Sequence, residues 1–280
     1  QAQPLHELDV QLMKWLGLKA YRFSVAWPRV FPEGCGEPNP EGLAYYDRLV
    51  DELLANGIEP WLTFFHWDLP QAMQDRFGGW ESRETSRYFG EYVAHVTRHL
   101  SDRVTHFFTI NEFGCFTDAG YGGGEFPPGK RLPAKERNQV RHHGVLAHGL
   151  AVQAIRANAR RQPKVGLAEN SQICAPVIET PEHVAAAREA MRRLNAPFLT
   201  AVLEGRYHEA YLAAEGANAP AVQAGDMEII GSPLDFVGLN MYAPTYVRAD
   251  AGPSGFAVVP HPASYPRMEM PWLYLGPQIA

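Results

Sequence analysis

Cysteine is scarce in this chain. Three stand in 280 residues, Cys35, Cys115 and Cys174, widely spaced and odd in number. That excludes a disulfide-stapled scaffold and a cysteine-rich metal site, and it points to reduced thiols in a cytoplasmic protein. Basic charge is also in short supply. Lys and Arg total 25 against 31 Asp and Glu, a net −6, which leaves no basic face for nucleic acid. No apolar run reaches the ~18 residues that a membrane-spanning helix needs. The first fifteen residues carry His6, Glu7, Asp9 and Lys14, so they do not read as a secretory signal. There is no G-x-S-x-G elbow, no H-E-x-x-H and no glycine-rich phosphate loop after the first strand. His95 and His99 have helical metal spacing, but nothing else joins them, and they read as solvated or core-packed. Gly122-Gly123-Gly124 lies in a loop and is expected to be flexible. No cofactor and no metal site is expected.

What remains is ordinary globular material, 46% hydrophobic and 11% aromatic. Leu5, Leu8, Leu12, Met13 and Leu16 have helical spacing, and Gly17 suits the left-handed cap. A strand is expected from Ala20 to Trp27. Asn39-Pro40 is an N-cap and first-turn pair for a helix carrying Leu43, Tyr46, Leu49, Val50 and Leu53, which stops at Asn56-Gly57. Trp61 to Trp67 is a continuous apolar run, the mark of a strand buried on both faces. The alternation continues with a helix over 82–100, a strand from Thr105 to Ile110, a helix over 138–161 and a strand from Val165 to Ala168. A helical stretch over 181–203, kinked by Pro197, and a strand from Asp235 to Leu239 complete it. Such alternation predicts an α/β fold with right-handed crossovers.

Polar residues gather at the C-terminal ends of these strands: His66, Asn111, Glu112, Asn170 and Asn240, with Arg22 inside the first. In a (β/α)8 barrel the site is built at that end; in a doubly wound sheet it would lie only near a switch point. Five strands do not close a barrel of eight. At roughly fifty residues per unit, eight units need about 400 residues, within the barrels that carry insertions. The chain also opens on a helix and on Gln1. The expectation is one incomplete (β/α)8 barrel domain over 1–280, holding roughly strands 2 to 6.

Glu112 is the sharpest feature. A carboxyl group at the end of an apolar strand is open to desolvation, which suits it to donate a proton, and Asn111 beside it can hold a hydroxyl. The alternative is a strand-end carboxylate paired with a cation. His66-Trp67-Asp68 combines a histidine with an aromatic face, as a sugar site requires, although a histidine bonded to backbone would read the same. Arg22, amid apolar neighbours, needs a carboxylate partner, either catalytic or structural.

Several long motifs, in order, resemble glycoside hydrolase family 1 enzymes of the β-glucosidase type. They are Tyr21-Arg22-Phe23-Ser24-Val25-Ala26-Trp27, Arg29-Val30-Phe31-Pro32-Glu33-Gly34, Phe65-His66-Trp67-Asp68-Leu69-Pro70-Gln71, Thr109-Ile110-Asn111-Glu112 and Asp235-Phe236-Val237-Gly238-Leu239-Asn240-Met241-Tyr242. The resemblance implies a retaining β-glycosidase acting on a small β-glycoside or oligosaccharide. It implies Glu112 as general acid/base, and His66, Trp67, Asn111 and Asn240 as sugar-pocket residues. Arg22 and Tyr242 match residues that contact the nucleophilic carboxylate. The family's first strand and the T-E-N-G motif bearing its nucleophile would lie before Gln1 and after Ala280, so this chain alone is expected to be inactive. Neither Glu169 nor Glu125 matches a nucleophile. The proline usual after the acid/base is Phe113 here, as expected of a subfamily variant. The competing reading is a non-catalytic truncated barrel that binds sugar. Glu112 argues against a thioglucosidase, a phospho-β-glucosidase stays open, and so does homo-oligomerisation.

Overall fold

The computed structural model describes residues 5–270 and 272–274. Five strands form one parallel sheet: β1 (Ala20–Ser24), β2 (Glu59–Phe65), β3 (His106–Asn111), β4 (Lys164–Asn170) and, after a short outlying strand β5 (Cys174–Pro176), β6 (Phe236–Asn240). Their order is β1-β2-β3-β4-β6, each strand beside its predecessor in the sheet, and every pairing is parallel. Helices fill the crossovers, as parallel neighbours require. The five expected strands are all present. The first is shorter than expected, because Pro28 starts a helical turn at Trp27–Val30.

The helix Pro40–Ala55 begins as its sequence dictates: the Asn39 side chain accepts the Glu41 N–H at 3.2 Å, with Pro40 in the first turn. It buries Leu43, Tyr46, Leu49, Val50 and Leu53. The helices Arg83–Leu100 and Ala134–Asn158 pack against each other and against the sheet. The 181–203 stretch divides as Pro197 demands, into a helix Pro181–Leu194, a wide turn Ala196–Thr200 and a last turn Ala201–Glu204.

Burial on both faces holds for the inner strands. Leu62, Phe64, Phe107, Val165 and Leu167 are fully buried on one face, and Thr63, Phe65 and Ala168 are buried on the other. It does not hold for β1 and β6, which are the sheet's edges and stay partly open. On one face, Trp61 stacks on His106 at 4.1 Å and meets Phe108 and Phe236. Gly238 admits this cluster: a β-carbon there would stand 2.8 Å from the Phe108 ring.

Two expectations need correction. A second, three-stranded sheet was not foreseen. It joins β5 in parallel to β7 (Thr245–Ala249), which pairs antiparallel with β8 (Phe256–Val259). It packs Val247 on Ala186, Ala187 and Ala190 of the helix Pro181–Leu194. The 122–124 glycines are not a loose loop. Gly122 and Gly123 fall in a wide helical turn, Ala119–Gly123, that Gly124 caps in the left-handed conformation, φ 74°, and a β-carbon on Gly122 would lie 2.7 Å from Arg137 Cδ. Glycine there serves close approach.

Candidate active site

The site lies at the C-terminal edge of the five-stranded sheet. An irregularity in the β3–β4 pairing helps to build it. Phe108 pairs with Gly166 but Asn111 with Ala168, so β3 carries one extra residue between them. Side chains alternate along a strand, and an extra residue reverses that parity. Asn111 therefore shares a face with Phe108. Arg22 reaches both: its guanidinium sits 4.4 Å over the Phe108 ring, and its Nη2 donates to Asn111 Oδ1 at 2.7 Å. Its Nε donates to Thr63 Oγ1 at 2.8 Å.

Glu112 comes directly after Asn111. It is 4% exposed and adopts a left-handed backbone, φ 49°, rare for a residue with a β-carbon. Such a conformation costs about 1–3 kcal/mol and persists only where neighbours hold it. Here the Glu112 N–H donates to the Ala168 carbonyl at 2.8 Å, and the Phe113 N–H donates to Glu169 Oε2 at 3.0 Å. Three side chains donate to the Glu112 carboxylate. Asn240 Nδ2 reaches Oε1 at 2.6 Å, the Tyr242 hydroxyl reaches Oε1 at 3.3 Å, and the Cys115 thiol reaches Oε2 at 3.1 Å. None is a cation, and among the described residues Glu112 has no ion-pair partner, so the strand-end ion pair is not formed there.

His66 and Trp67 end β2 beside this group. Trp67 also has a left-handed backbone, φ 80°, and its Nε1 donates to the Asn111 carbonyl at 2.8 Å. His66 Nε2 lies 3.4 Å from Asn111 Nδ2. Partial burial and the Arg22 charge lower the His66 pKa, which keeps the ring neutral and able to donate or accept at neutral pH. All seven residues singled out from the sequence, Arg22, His66, Trp67, Asn111, Glu112, Asn240 and Tyr242, thus form one contact network. Trp67, Glu112, Asn170, Tyr242, Phe126 and Trp272 line a cavity of about 710 Å³, with the exposed Glu125 at its rim. Aromatic walls around a few convergent polar groups suit a sugar's apolar faces and hydroxyls.

Two further neighbours of Glu112 read differently in the sequence, Cys115 only as a reduced thiol and Glu169 only as a carboxylate that matches no nucleophile. Cys115 stands three residues after Glu112. That spacing becomes a contact only because Glu112 caps the helix Phe113–Asp118. Burial, with Glu112 alongside, pushes the Cys115 thiol up, so it stays protonated and donates. Glu169 is 3% exposed, and burial raises its carboxyl to about 8. The histidines of the helix Ala134–Asn158 serve packing: His142 bridges Tyr207 and Asp226, and His148 bonds Thr109. His99 bonds Asp47, while His95 sits edge-on to Phe31.

A parallel α/β sheet carrying carboxylate, amides and aromatics at its C-terminal edge is the frame on which (β/α)8 barrels build their sites. The fold is that of a (β/α)8 barrel, five consecutive strands of it. The family is named by comparison: residues 5–271 match the glycosyl hydrolase family 1 model, and the chain belongs to that family. It is 37% identical to β-glucosidase A of Acetivibrio thermocellus over 255 residues, 90% of this chain and 56% of that protein. The β-glucosidase of Thermotoga maritima in complex with deoxynojirimycin superposes with TM-score 0.84 at 34% identity, over 95% of this chain and 60% of that one. The rice Os3BGlu6 β-glucosidase does so with TM-score 0.88 at 32% identity, over 97% and 63%. The chain spans a little over half the length of these relatives.

Proposed function

We propose that the complete polypeptide is a retaining β-glycosidase of the β-glucosidase type, with Glu112 as general acid/base. The observation that carries this reading is the environment of Glu112: a buried carboxyl group at a strand end, held by Asn240 at 2.6 Å beside an aromatic-walled cavity. In the first step Glu112 gives its proton to the leaving oxygen while a carboxylate nucleophile takes the anomeric carbon. In the second it removes a proton from water, which attacks the same carbon and frees the nucleophile. We expect that nucleophile beyond residue 280, in a T-E-N-G motif. Its carboxylate would sit about 5–5.5 Å from Glu112, within reach of Arg22 and Tyr242. Asn111 and His66 would hold sugar hydroxyls, Trp67 would support the ring, and Asn240 would orient Glu112. Membership of a β-glucosidase family supports a β-glucoside as substrate, and the three free thiols support a cytoplasmic enzyme.

The test is hydrolysis of β-glucosides by the complete polypeptide, by its Glu112→Ala variant and by residues 1–280 alone. The alanine variant should lose about 10²-fold or more on alkyl glucosides, which need protonation, and far less on dinitrophenyl glucoside. Equal losses on both would count against Glu112 as the acid. Turnover by residues 1–280 alone would overturn the placement of the nucleophile.

A further inference from the structure

The strained backbone at Glu112 is held from both sides by β4. On the far side stands Phe113, which has an N–H where a proline has none, and that N–H points at a buried carboxyl group, Glu169 Oε2, at 3.0 Å. The preceding N–H, of Glu112 itself, is taken by the Ala168 carbonyl at 2.8 Å. Adjacent residues of β4 therefore accept the amides on both sides of Glu112. We infer that Glu169 is a positioning residue: it accepts the Phe113 amide and holds the left-handed backbone that aims the Glu112 carboxyl group. The inference rests on the reading of Glu112 as acid/base.

The surroundings fit this role better than a role in contact with substrate. Glu169 lies in a small cleft of about 180 Å³ with Glu112, Cys115 and Asp118, beside the larger cavity whose lining does not include it. Asp118 is engaged by Arg141, whose Nε and Nη2 donate to it at 2.6 and 3.0 Å. The Cys115 thiol is engaged by Glu112. Burial, with the negative charges of Glu112 and Asp118 near by, keeps the Glu169 carboxyl neutral at neutral pH. A neutral carboxyl group offers an acceptor without placing a second full charge beside the acid/base. The ring of Phe113 is fully buried and stacks on Phe198 at 5.4 Å, so residue 113 is anchored at its side chain as well as at its amide.

The test measures, within each preparation of the complete polypeptide, the ratio of kcat/KM on an alkyl β-glucoside to kcat/KM on dinitrophenyl β-glucoside. The ratio reports proton donation and does not depend on the fraction of protein that is folded. Glu169→Leu, which has no acceptor, should lower the ratio about 10-fold or more, as a misaimed acid would. Glu169→Gln keeps an acceptor and should restore the ratio to within about 3-fold of wild type. Phe113→Pro supplies a ring in place of the N–H, so in that background Glu169→Leu should change the ratio little, whereas in a Phe113→Ala background, which keeps the N–H, it should still lower it. If Glu112→Ala lowers the ratio and Glu169→Leu does not, the inference is overturned while the acid/base reading stands. If Glu112→Ala leaves the ratio unchanged, the acid/base reading fails and the inference falls with it.

Discussion

Replacing Glu169 with glutamine should free the protein from a stability loss that grows with pH. Glu169 is 3% exposed, and burial raises its carboxyl from the ordinary 4.5 to about 8. Between those two values the folded protein keeps a proton that the unfolded chain has released. Stability therefore falls as pH rises, by about 1.4 kcal/mol per pH unit. Below the lower value both states are protonated, and above the upper one both are ionised, so the slope vanishes at each end. From pH 5 to pH 7 the accumulated loss is about 3 kcal/mol. Glutamine has nearly the same shape and can still accept the Phe113 N–H, but it does not titrate. The gap in thermal stability between Glu169→Gln and wild type should therefore widen by about 3 kcal/mol over that range. For a complete polypeptide of about 400 residues that is about 3–4 °C. The assay is thermal unfolding of the two complete polypeptides at pH 5, 6 and 7; groups common to both cancel in the difference. A gap that stays flat across the three would refute the reasoning, since it would mean that the native carboxyl group is solvated enough to ionise normally.

The same structure sets other outcomes. The Cys115 thiol, pushed up by burial and by Glu112, should react with iodoacetamide at pH 8 far more slowly than a free thiol, as peptide mapping would show. Fast labelling of Cys115 would contradict the bond to Glu112. Asp226 is buried; it accepts Arg83 Nη1 at 3.0 Å, His142 Nε2 at 2.9 Å and the Gln223 N–H at 2.8 Å, and these partners lower its pKa to about 2. Its contribution is present above the ordinary carboxyl value of 3.8 and is lost as pH falls toward 2. Asp226→Ala strands the buried His142 and the Arg83 charge and should destabilise by about 3 kcal/mol at neutral pH in thermal unfolding, a cost that shrinks in strong acid. Gly238→Ala puts a β-carbon 2.8 Å from the Phe108 ring and should cost about 1–3 kcal/mol in the same measurement.

The inner parallel strands were legible because strands buried on both faces are written as largely apolar runs, and Trp61 to Phe65 and Phe107 to Ile110 are such runs, each broken only by a threonine. Helix starts were legible where one residue sets them, as Asn39 does. The three-stranded sheet was not. Its strand β5 is Cys174-Ala175-Pro176, too short to show alternation and ended by a proline, and its partner β7 is far along the chain. The site divides in the same way. Strand-end residues such as Asn111, Glu112 and Asn240 could be found, since topology alone brings strand ends together. Cys115 could not, because its contact needs the chain to turn at Glu112. That turn is a backbone conformation which no side chain in the sequence announces.

That turn explains why one departure from the family pattern is chemically connected to another residue. A proline after an acid/base residue fixes its own φ and donates nothing, so the backbone there is held by the ring. Phenylalanine leaves φ freer and adds a donor beside a strained residue at φ 49°. A buried N–H without a partner is costly, so a chain with Phe113 needs an acceptor at that place. The residue after Ala168 on β4 is the one positioned to supply it, because Ala168 already accepts the Glu112 N–H. Glu169 fills that place, and its burial, which would be a liability for a charged group, is tolerable because the proton stays on. Phe113 and Glu169 should therefore behave as a unit. In a double-mutant cycle on the alkyl to dinitrophenyl ratio, Glu169→Leu should lower the ratio about 10-fold beside Phe113 and little beside Phe113→Pro, where the ring holds the backbone and no N–H needs an acceptor. Fully additive losses would mean that the two residues act on Glu112 separately, and the bond between them would then have no part in aiming it.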